Sequence, residues 1–463
     1  MGLGGVRPRN GTACFGRTNR AVLVATLWSL AACVTTPPAN HPVERGSTIR
    51  PSSRVGLAAA GRSGELLLVT TFSGGGTRAA AFAYGVLQEL AATDVTLGGE
   101  HRRLIDEVDL ISSVSGGSFT AAYYGLFGDR TFEDYEEVFL RRNLQGRLIL
   151  EMLRPINWLR LFRVDRSQLA ADFYDREIFE GATFADFRRV DAPEIVINAT
   201  DLSTAGRFPF SSVSFGLICS DLASYPVANA VTASSAVPIA FPTIRLSNHA
   251  GNCNFEIPGW LHQSPEENAP LAQLAKREIL ASYEKDRDRR FIHLLDGGLS
   301  DNLGLRNAVA AITVAGDPLQ MMREIGHGDI RQILVVVVNA EQRARRRWDN
   351  SNRAASPRQV MSGLSGRQIH NTNRITIELA RKLFNNLGRE LSRPGAPVAV
   401  EFVEVSFEKL ADASEREFLG GVETSFQLSD EKVDRLISAG RDILRGSPAF
   451  QRAVGRMSES LRE

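Results

Sequence analysis

The chain has 463 residues, of which 43% are hydrophobic and 23% charged, a globular composition that excludes disorder over most of its length and suffices for one large core or two modest ones. Its formal charge of +1 gives no overall electrostatic case for nucleic acid, so a partner has to be argued from local sites.

Arg17 and Arg20 precede an apolar run from Ala21 to Leu30, which ends in Leu30-Ala31-Ala32-Cys33. So short a run, with basic residues before it and small ones after, predicts a secretory signal peptide over 1–33, not a membrane span. Small residues directly before a cysteine resemble the lipobox of bacterial lipoproteins. The resemblance implies that Cys33 becomes lipid-modified and, with Val34 in place of aspartate after it, that the protein sits at the outer membrane of the cell envelope. An ordinary signal peptide, an incidental cysteine and a secreted protein are the alternative. Residues 34–62, rich in Pro, Thr, Ser, Arg and Gly without apolar periodicity, read as a flexible tether.

Runs rich in leucine or β-branched residues follow at 65–72, 108–113, 194–200, 291–295 and 333–338, each bounded by Gly, Pro, Asn or Asp. Their nearly continuous apolar character predicts strands buried on both faces of a parallel sheet. Helical patterns lie between them, including Ala79 to Ala91 and Arg374 to Leu391, where Ile375, Leu379, Leu383, Leu387 and Leu391 recur every fourth residue. The alternation predicts an α/β layered domain. Val398 to Phe407 reads as a late strand, and Ser429 as the cap of a final helix with Val433, Leu436, Ile437, Ile443 and Leu444 on one face. No internal repeat is present. The reading is one domain, with a core over 63–340 and a C-terminal extension over 341–463 packed on it.

With Cys14 in the signal and Cys33 modified, Cys219 and Cys253 remain in the folded part. An oxidising periplasm permits them to pair, and the sequence leaves a disulfide and two separate buried thiols both open. There is no CxxC pair and no His/Cys spacing suited to zinc, so neither a metal nor a cofactor is expected.

Three stretches carry chemistry. In Val108-Asp109-Leu110-Ile111-Ser112-Ser113-Val114-Ser115-Gly116-Gly117, an apolar strand runs into a serine among small residues and then into a helical segment, the setting of a nucleophile elbow. Ser113 stands where such elbows usually have glycine. Gly74-Gly75-Gly76 follows another strand and precedes another helix, and consecutive glycines let backbone N–H groups converge on an oxyanion. A nucleotide loop would end in Lys-Ser/Thr, but Thr77-Arg78 stands there. Asp296 ends the run Phe291 to Leu295 and precedes Gly297-Gly298, which places a carboxylate at a strand's C-terminal end, where α/β folds hold their sites. Asp301 is the rival carboxylate, set in a turn-like loop. Of His101, His249, His262, His293, His327 and His370 none has a recognisable catalytic context, and His293 reads as a core histidine, so a Ser115–Asp296 dyad is favoured.

In this order the three stretches resemble the patatin-like phospholipases, particularly the branch closer to the cytosolic phospholipase A enzymes. Asn198-Ala199-Thr200-Asp201-Leu202 and the run from Ala233 to Pro242 look like further family segments. The resemblance covers about Leu66 to Asn307 and implies a three-layer α/β/α sandwich with a mainly parallel sheet. It makes Ser115 the nucleophile, Asp296 the base, the backbone of Gly74, Gly75 and Gly76 the oxyanion donors, and Arg78 a contact for substrate phosphate.

The expected function is hydrolysis of carboxylic esters of phospholipids at a membrane, with an acyl-enzyme on Ser115 and the membrane reached through Cys33. An envelope lipoprotein that keeps the fold as a binding or assembly component, and an acyltransferase or general esterase with the same dyad, are the alternatives. The basic run Arg343-Ala344-Arg345-Arg346-Arg347-Trp348 could meet anionic lipid, though a solvated loop is the favoured reading.

Overall fold

Among the described residues, eight strands form the central sheet: β1 (Leu66–Phe72), β2 (Val108–Val114), β3 (Glu194–Asp201), β4 (Arg207–Phe210), β5 (Ile244–Ser247), β6 (Phe291–Asp296), β7 (Gln332–Asn339) and β8 (Ala399–Ser406). The structure is a computed structural model that describes residues 38–49, 61–153, 166–187, 192–237, 242–256, 282–283, 288–314, 317–342 and 357–459. Cys33, residues 34–37 and 50–60 of the expected tether, His262, the Arg343–Trp348 run and the stretch 238–241 lie outside the described residues. The tether expectation is corrected at 38–49, which pack on the domain: Asn40 is buried, with Nδ2 donating to Ser220 Oγ and the Ser247 carbonyl, and Thr48–Ile49 pair with Asn254–Phe255.

β8, β7, β1, β2 and β3 pair in parallel, in that order. Alternate residues of these strands enter two cores. Leu66, Leu68, Leu334, Val336 and Val338 face one side, and Leu67, Val69, Ile333, Val335 and Val337 the other. Helices cover both faces, and the result is an α/β fold with a mainly parallel central sheet.

The long helix α6 (Pro357–Leu391) covers one face, after α1 (Thr77–Ala91), α2 (Gly116–Phe127), α3 (Leu144–Leu153), α4 (Val227–Ser234) and α5 (Arg306–Val314) earlier in the chain. Its buried stripe is Ile377, Ala380, Phe384, Leu387 and Leu391. The expected stripe is corrected here, because Ile375 is 68% exposed and Leu379 42% exposed. A spacing of four drifts by about 40° per step around a helix with 3.6 residues per turn, so Ile375 and Leu391 point to nearly opposite sides.

The C-terminal segment supplies β8 to the sheet and, among the described residues after it, a short helix over Ala413–Gly420 and the helices α7 (Asp430–Arg445) and α8 (Pro448–Glu459). The helix expected to be last is therefore the penultimate one. Ser429 occupies its N-cap position without a side-chain capping bond, and Asp430 and Glu431 supply negative charge to the first turn. α7 crosses α1 at glycine: a Cβ on Gly85 would lie 2.1 Å from the Ile437 carbonyl oxygen, and one on Gly440 would lie 2.4 Å from that of Phe82. Cys219 and Cys253 are joined by a disulfide, with their Cα atoms 5.6 Å apart.

β6 departs from the expected parallel strand. It pairs antiparallel with both β3 and β5, and its Phe291 is exposed. β2 and β4 both pair with Ile197 and Asn198 of β3, so they lie on opposite edges of it. β4 and β6 both pair with Ala199 and Thr200, so they too are on opposite edges. A strand has two edges, and β2 and β6 must therefore share one. They run toward each other along it and end one position apart, Val114 opposite Asn198 and Asp296 opposite Ala199.

Candidate active site

That end-to-end meeting builds the site. Ser115, the residue after β2, is the N-cap of α2 with φ 49° and ψ −122°, a conformation that L side chains rarely adopt. The turn lifts its side chain off the strand, and Ser115 Oγ donates to Asp296 Oδ2 at 2.9 Å. The other carboxylate oxygen, Oδ1, accepts from Gly298 N at 2.8 Å. Burial raises the Asp296 pKa, while the bonds from Gly298 and Ser115 pull it back, leaving it at about 6. A partly buried carboxylate so poised is ionised at neutral pH and ready to take the hydroxyl proton.

Ser113 fits its strand without disturbing the turn: it is fully buried, with Oγ 3.4 Å from the Val196 carbonyl. Beneath it, Asn198 Nδ2 donates to Ser112 Oγ and to the Ser113 carbonyl, and Asn198 Oδ1 accepts from Asn307 and Arg207. This buried network ties β2 to β3 directly under the elbow.

The glycine loop between β1 and α1 lies against the elbow, where a Cβ on Gly74 would be 3.3 Å from that of Ser115. One correction concerns its donors. Gly74 N donates to the Asn302 carbonyl at 3.0 Å, which commits that amide to holding the loop in place. Gly75 and Gly76 have N–H groups without an acceptor among the described residues, at φ 146° and 61°. These are the amides the loop can offer to an anion.

Arg78 is buried at the start of α1, so it is no surface cation. Its Nε donates to the Ala340 carbonyl at 2.9 Å and its Nη1 to the Val422 carbonyl at 2.6 Å. A Cβ on Gly75 would lie 2.8 Å from Nη2, which puts the guanidinium directly behind the loop. Burial lowers its pKa to about 10, partly opposed by Glu341 and Glu423, and it stays charged at neutral pH. Much of its hydrogen-bonding capacity ties backbone together, in place of the open two-pronged phosphate contact expected of it.

His249, His293, His327 and His370 have partners elsewhere: the Asn40 backbone, Thr243, Asp109 and Glu341 respectively. His293 is only partly buried, and burial lowers its pKa. Asp301 is occupied as well, its Oδ2 accepting from Arg306 N at 2.9 Å.

Three contributors escaped the motif reading. Asn302 holds Gly74, and Ser425, whose carbonyl accepts from Thr77 N at 2.9 Å, backs the loop from the C-terminal segment. Ser234 Oγ accepts from Ser115 N at 2.8 Å. Ser234 lies in a segment already singled out by its resemblance. Ser425 has no local signature at all.

The family model described as Patatin-like phospholipase matches residues 70–309, just over half of the chain. No curated protein matches the sequence. Among solved structures, human GIVD cytosolic phospholipase A2 aligns with a TM-score of 0.42 and 13% identity, covering 97% of this chain and 65% of that one. The same human enzyme in complex with methyl gamma-linolenyl fluorophosphonate aligns with a TM-score of 0.40 and 14% identity, covering 87% of this chain and 63% of that one. This chain thus spans somewhat less than two thirds of the length of those structures.

Proposed function

The chain belongs to the patatin-like phospholipase family, and from that premise we propose that it is a membrane-associated serine hydrolase that cleaves carboxylic esters of phospholipids. The observation that carries the reading is the 2.9 Å bond from Ser115 Oγ to Asp296 Oδ2 at a strained turn, beside two glycine amides that have no acceptor among the described residues. Asp296 takes the proton as Ser115 Oγ attacks the ester carbonyl. The oxyanion is received by the N–H groups of Gly75 and Gly76, with the Arg78 charge behind them. Collapse of the intermediate transfers the proton from Asp296 to the departing alcohol, leaving the acyl group on Ser115. Water, deprotonated by Asp296, then attacks the acyl carbon, and the proton passes from Asp296 to Ser115 Oγ as the fatty acid leaves.

The positive field of Arg78 favours an anionic head group, so phospholipid is preferred to neutral ester. Docking at the membrane is supplied by lipid-modified Cys33, which places the protein in the envelope, at the outer membrane. Replacing Cys33 by Ser then releases the protein into the soluble fraction, and unchanged partitioning overturns the anchor.

The test of the activity is fatty-acid release from mixed phospholipid vesicles by the form starting after Cys33, beside Ser115→Ala and Asp296→Asn. Release by the parent and loss in both variants is expected. A folded parent inactive on phospholipid and on simple esters overturns the hydrolase reading.

A further inference from the structure

Ser234, the last residue of α4, is fully buried, and its hydroxyl has three neighbours: Ser115 N at 2.8 Å, the Asn198 carbonyl at 2.6 Å and Ser118 Oγ at 3.1 Å. A hydroxyl has one proton and two lone pairs. The Asn198 carbonyl can only accept, so the Ser234 proton goes there. The two lone pairs then receive Ser115 N–H and Ser118 Oγ–H, and every bonding position is filled. The backbone of the same stretch holds the other half of the pair: the Ser234 carbonyl accepts from Gly297 N at 3.0 Å, and the Ala236 carbonyl accepts from Asp296 N at 3.0 Å.

We infer that Ser234 is a positioning residue for the Ser115–Asp296 pair, its Oγ fixing the turn that presents the nucleophile and its carbonyl fixing the strand end that presents the base. The inference rests on the hydrolase reading above. A serine at φ 49° persists only where its surroundings over-determine it. The Ser115 amide is one of the orphan donors at the start of α2, and Ser234 is the group that satisfies it. β2 and β6 end tip to tip, with no ladder between Ser115 and Asp296 to hold their spacing. The 234–236 stretch bonds to both tips and sets it. With its amide bound to Ser234, Ser115 adds no oxyanion donor of its own, and that role stays with Gly75 and Gly76.

The matched control is Ser235→Ala. Ser235 is also buried, but its Oγ bonds back to the Val231 carbonyl within its own helix at 2.8 Å. Parent, Ser234→Ala, Ser234→Cys and Ser235→Ala are compared in labelling rate by an alkyl fluorophosphonate, which requires an activated serine but no lipid head group, in fatty-acid release from phospholipid vesicles, and in the pH profile of that release. Ser234→Ala is expected to label and hydrolyse about a hundredfold more slowly, the usual consequence of an ångström-scale misplacement. Ser235→Ala stays within about threefold of the parent by the same reasoning, since nothing at the site moves. The acid limb of the Ser234→Ala profile moves to higher pH, because Asp296 loses the bond from Ser115 that lowers its pKa. A merely structural role would leave that limb in place.

Labelling and release by Ser234→Ala equal to Ser235→Ala, with an unmoved acid limb, overturns the inference. If Ser234→Ala does not fold, Ser234→Cys decides, since a thiol of similar shape is a poor hydrogen-bonding group: slow labelling supports the role, and parent-like labelling overturns it. A parent that labels without releasing fatty acid removes the phospholipid reading while the labelling comparison still tests Ser234. A folded parent that does not label removes both.

Discussion

Gly116 and Gly76 touch through their backbones: a Cβ on Gly116 would lie 2.0 Å from the Gly76 carbonyl oxygen and 2.6 Å from its nitrogen. The elbow and the glycine loop are thus pressed together with no room for a side chain, and each sets the position of the other. Gly116→Ala has to displace the backbone that carries the Gly76 amide. Loss of one oxyanion donor costs about a hundredfold or more in rate, and a fall of that size in fatty-acid release is expected. Release within about tenfold of the parent would show the loop is no oxyanion site, by the same yardstick.

Asp296→Asn is expected to abolish turnover and to stabilise the fold at alkaline pH. The carboxyl pKa is raised from 3.8 to about 6, chiefly by burial, so the folded state binds this proton more tightly than the unfolded chain does. Its contribution to stability is full below the unfolded value and is lost as pH rises through the folded one. At pH 8 the ionised, partly buried group is a burden of about 2 kcal/mol, allowing for its solvent contact. Denaturant titrations of the parent and Asp296→Asn should therefore diverge at pH 8 and converge near pH 4; equal stability at both would contradict the raised pKa.

The same shift sets the acid side of the activity profile. A base with a pKa of about 6 is lost as the pH falls below that value. The kcat/KM profile of the free enzyme should bend near pH 6 and drop about tenfold per pH unit below it. A plateau continuing to pH 5 is the contrary result.

His327 gives a stability change of the same sense in a higher pH window. At the N-terminal ends of β1 and β2, opposite the strand ends that carry the site, it is fully buried, with Nε2 3.0 Å from Asp109 Oδ1 and Nδ1 3.3 Å from the Gly64 carbonyl. Burial by itself lowers its pKa and Arg62 opposes the charge, but the Asp109 carboxylate and the Gly64 carbonyl outweigh them, and the net shift is upward from 6.5. A raised folded pKa gives stability that is fully present below the unfolded value and is lost as pH rises through the folded one. Thermal melts of the parent should fall as the pH climbs above 6.5, and His327→Gln, which cannot titrate, should lose that part of the slope. An unchanged slope in the variant would remove His327 as its source.

Gly85→Ala tests how far the C-terminal segment supports the site. The added methyl meets the Ile437 carbonyl of α7, which packs on α1 directly after the glycine loop. Overpacking of this kind typically costs about 1–3 kcal/mol, and a correspondingly lowered Tm is expected, together with reduced release. A parent-like Tm would mean that α7 can shift without consequence.

Much of this architecture is legible in local chemistry. Leucine-rich and valine-rich runs bounded by breakers mark six of the eight sheet strands, all but β4 and β5, because a strand buried on both faces tolerates few polar residues. Gly74 to Gly76 and Ser113 to Gly117 announced tight turns before helices, since only small residues fit where backbones approach so closely. The long helix is visible by its periodicity, but its inward face is not, because a spacing of four matches the helical repeat over one turn and drifts off it over several.

Six of the eight sheet strands, the turns after β1 and β2 and the residue types able to carry acyl chemistry are matters of composition within a few neighbours, whereas the short β4 and β5 carry no apolar run that marks them. The direction of β6, the Asn302 bond that occupies Gly74, the burial of Arg78 and the backing of the loop by Ser425 were decided only by the tertiary structure. Ser115 and Asp296 are 181 residues apart, and they meet because two strands approach head-on along one edge of β3. Hydrogen bonds between such distant segments depend on strand order and register, which follow from the packing of the whole core and leave no trace in local spacing.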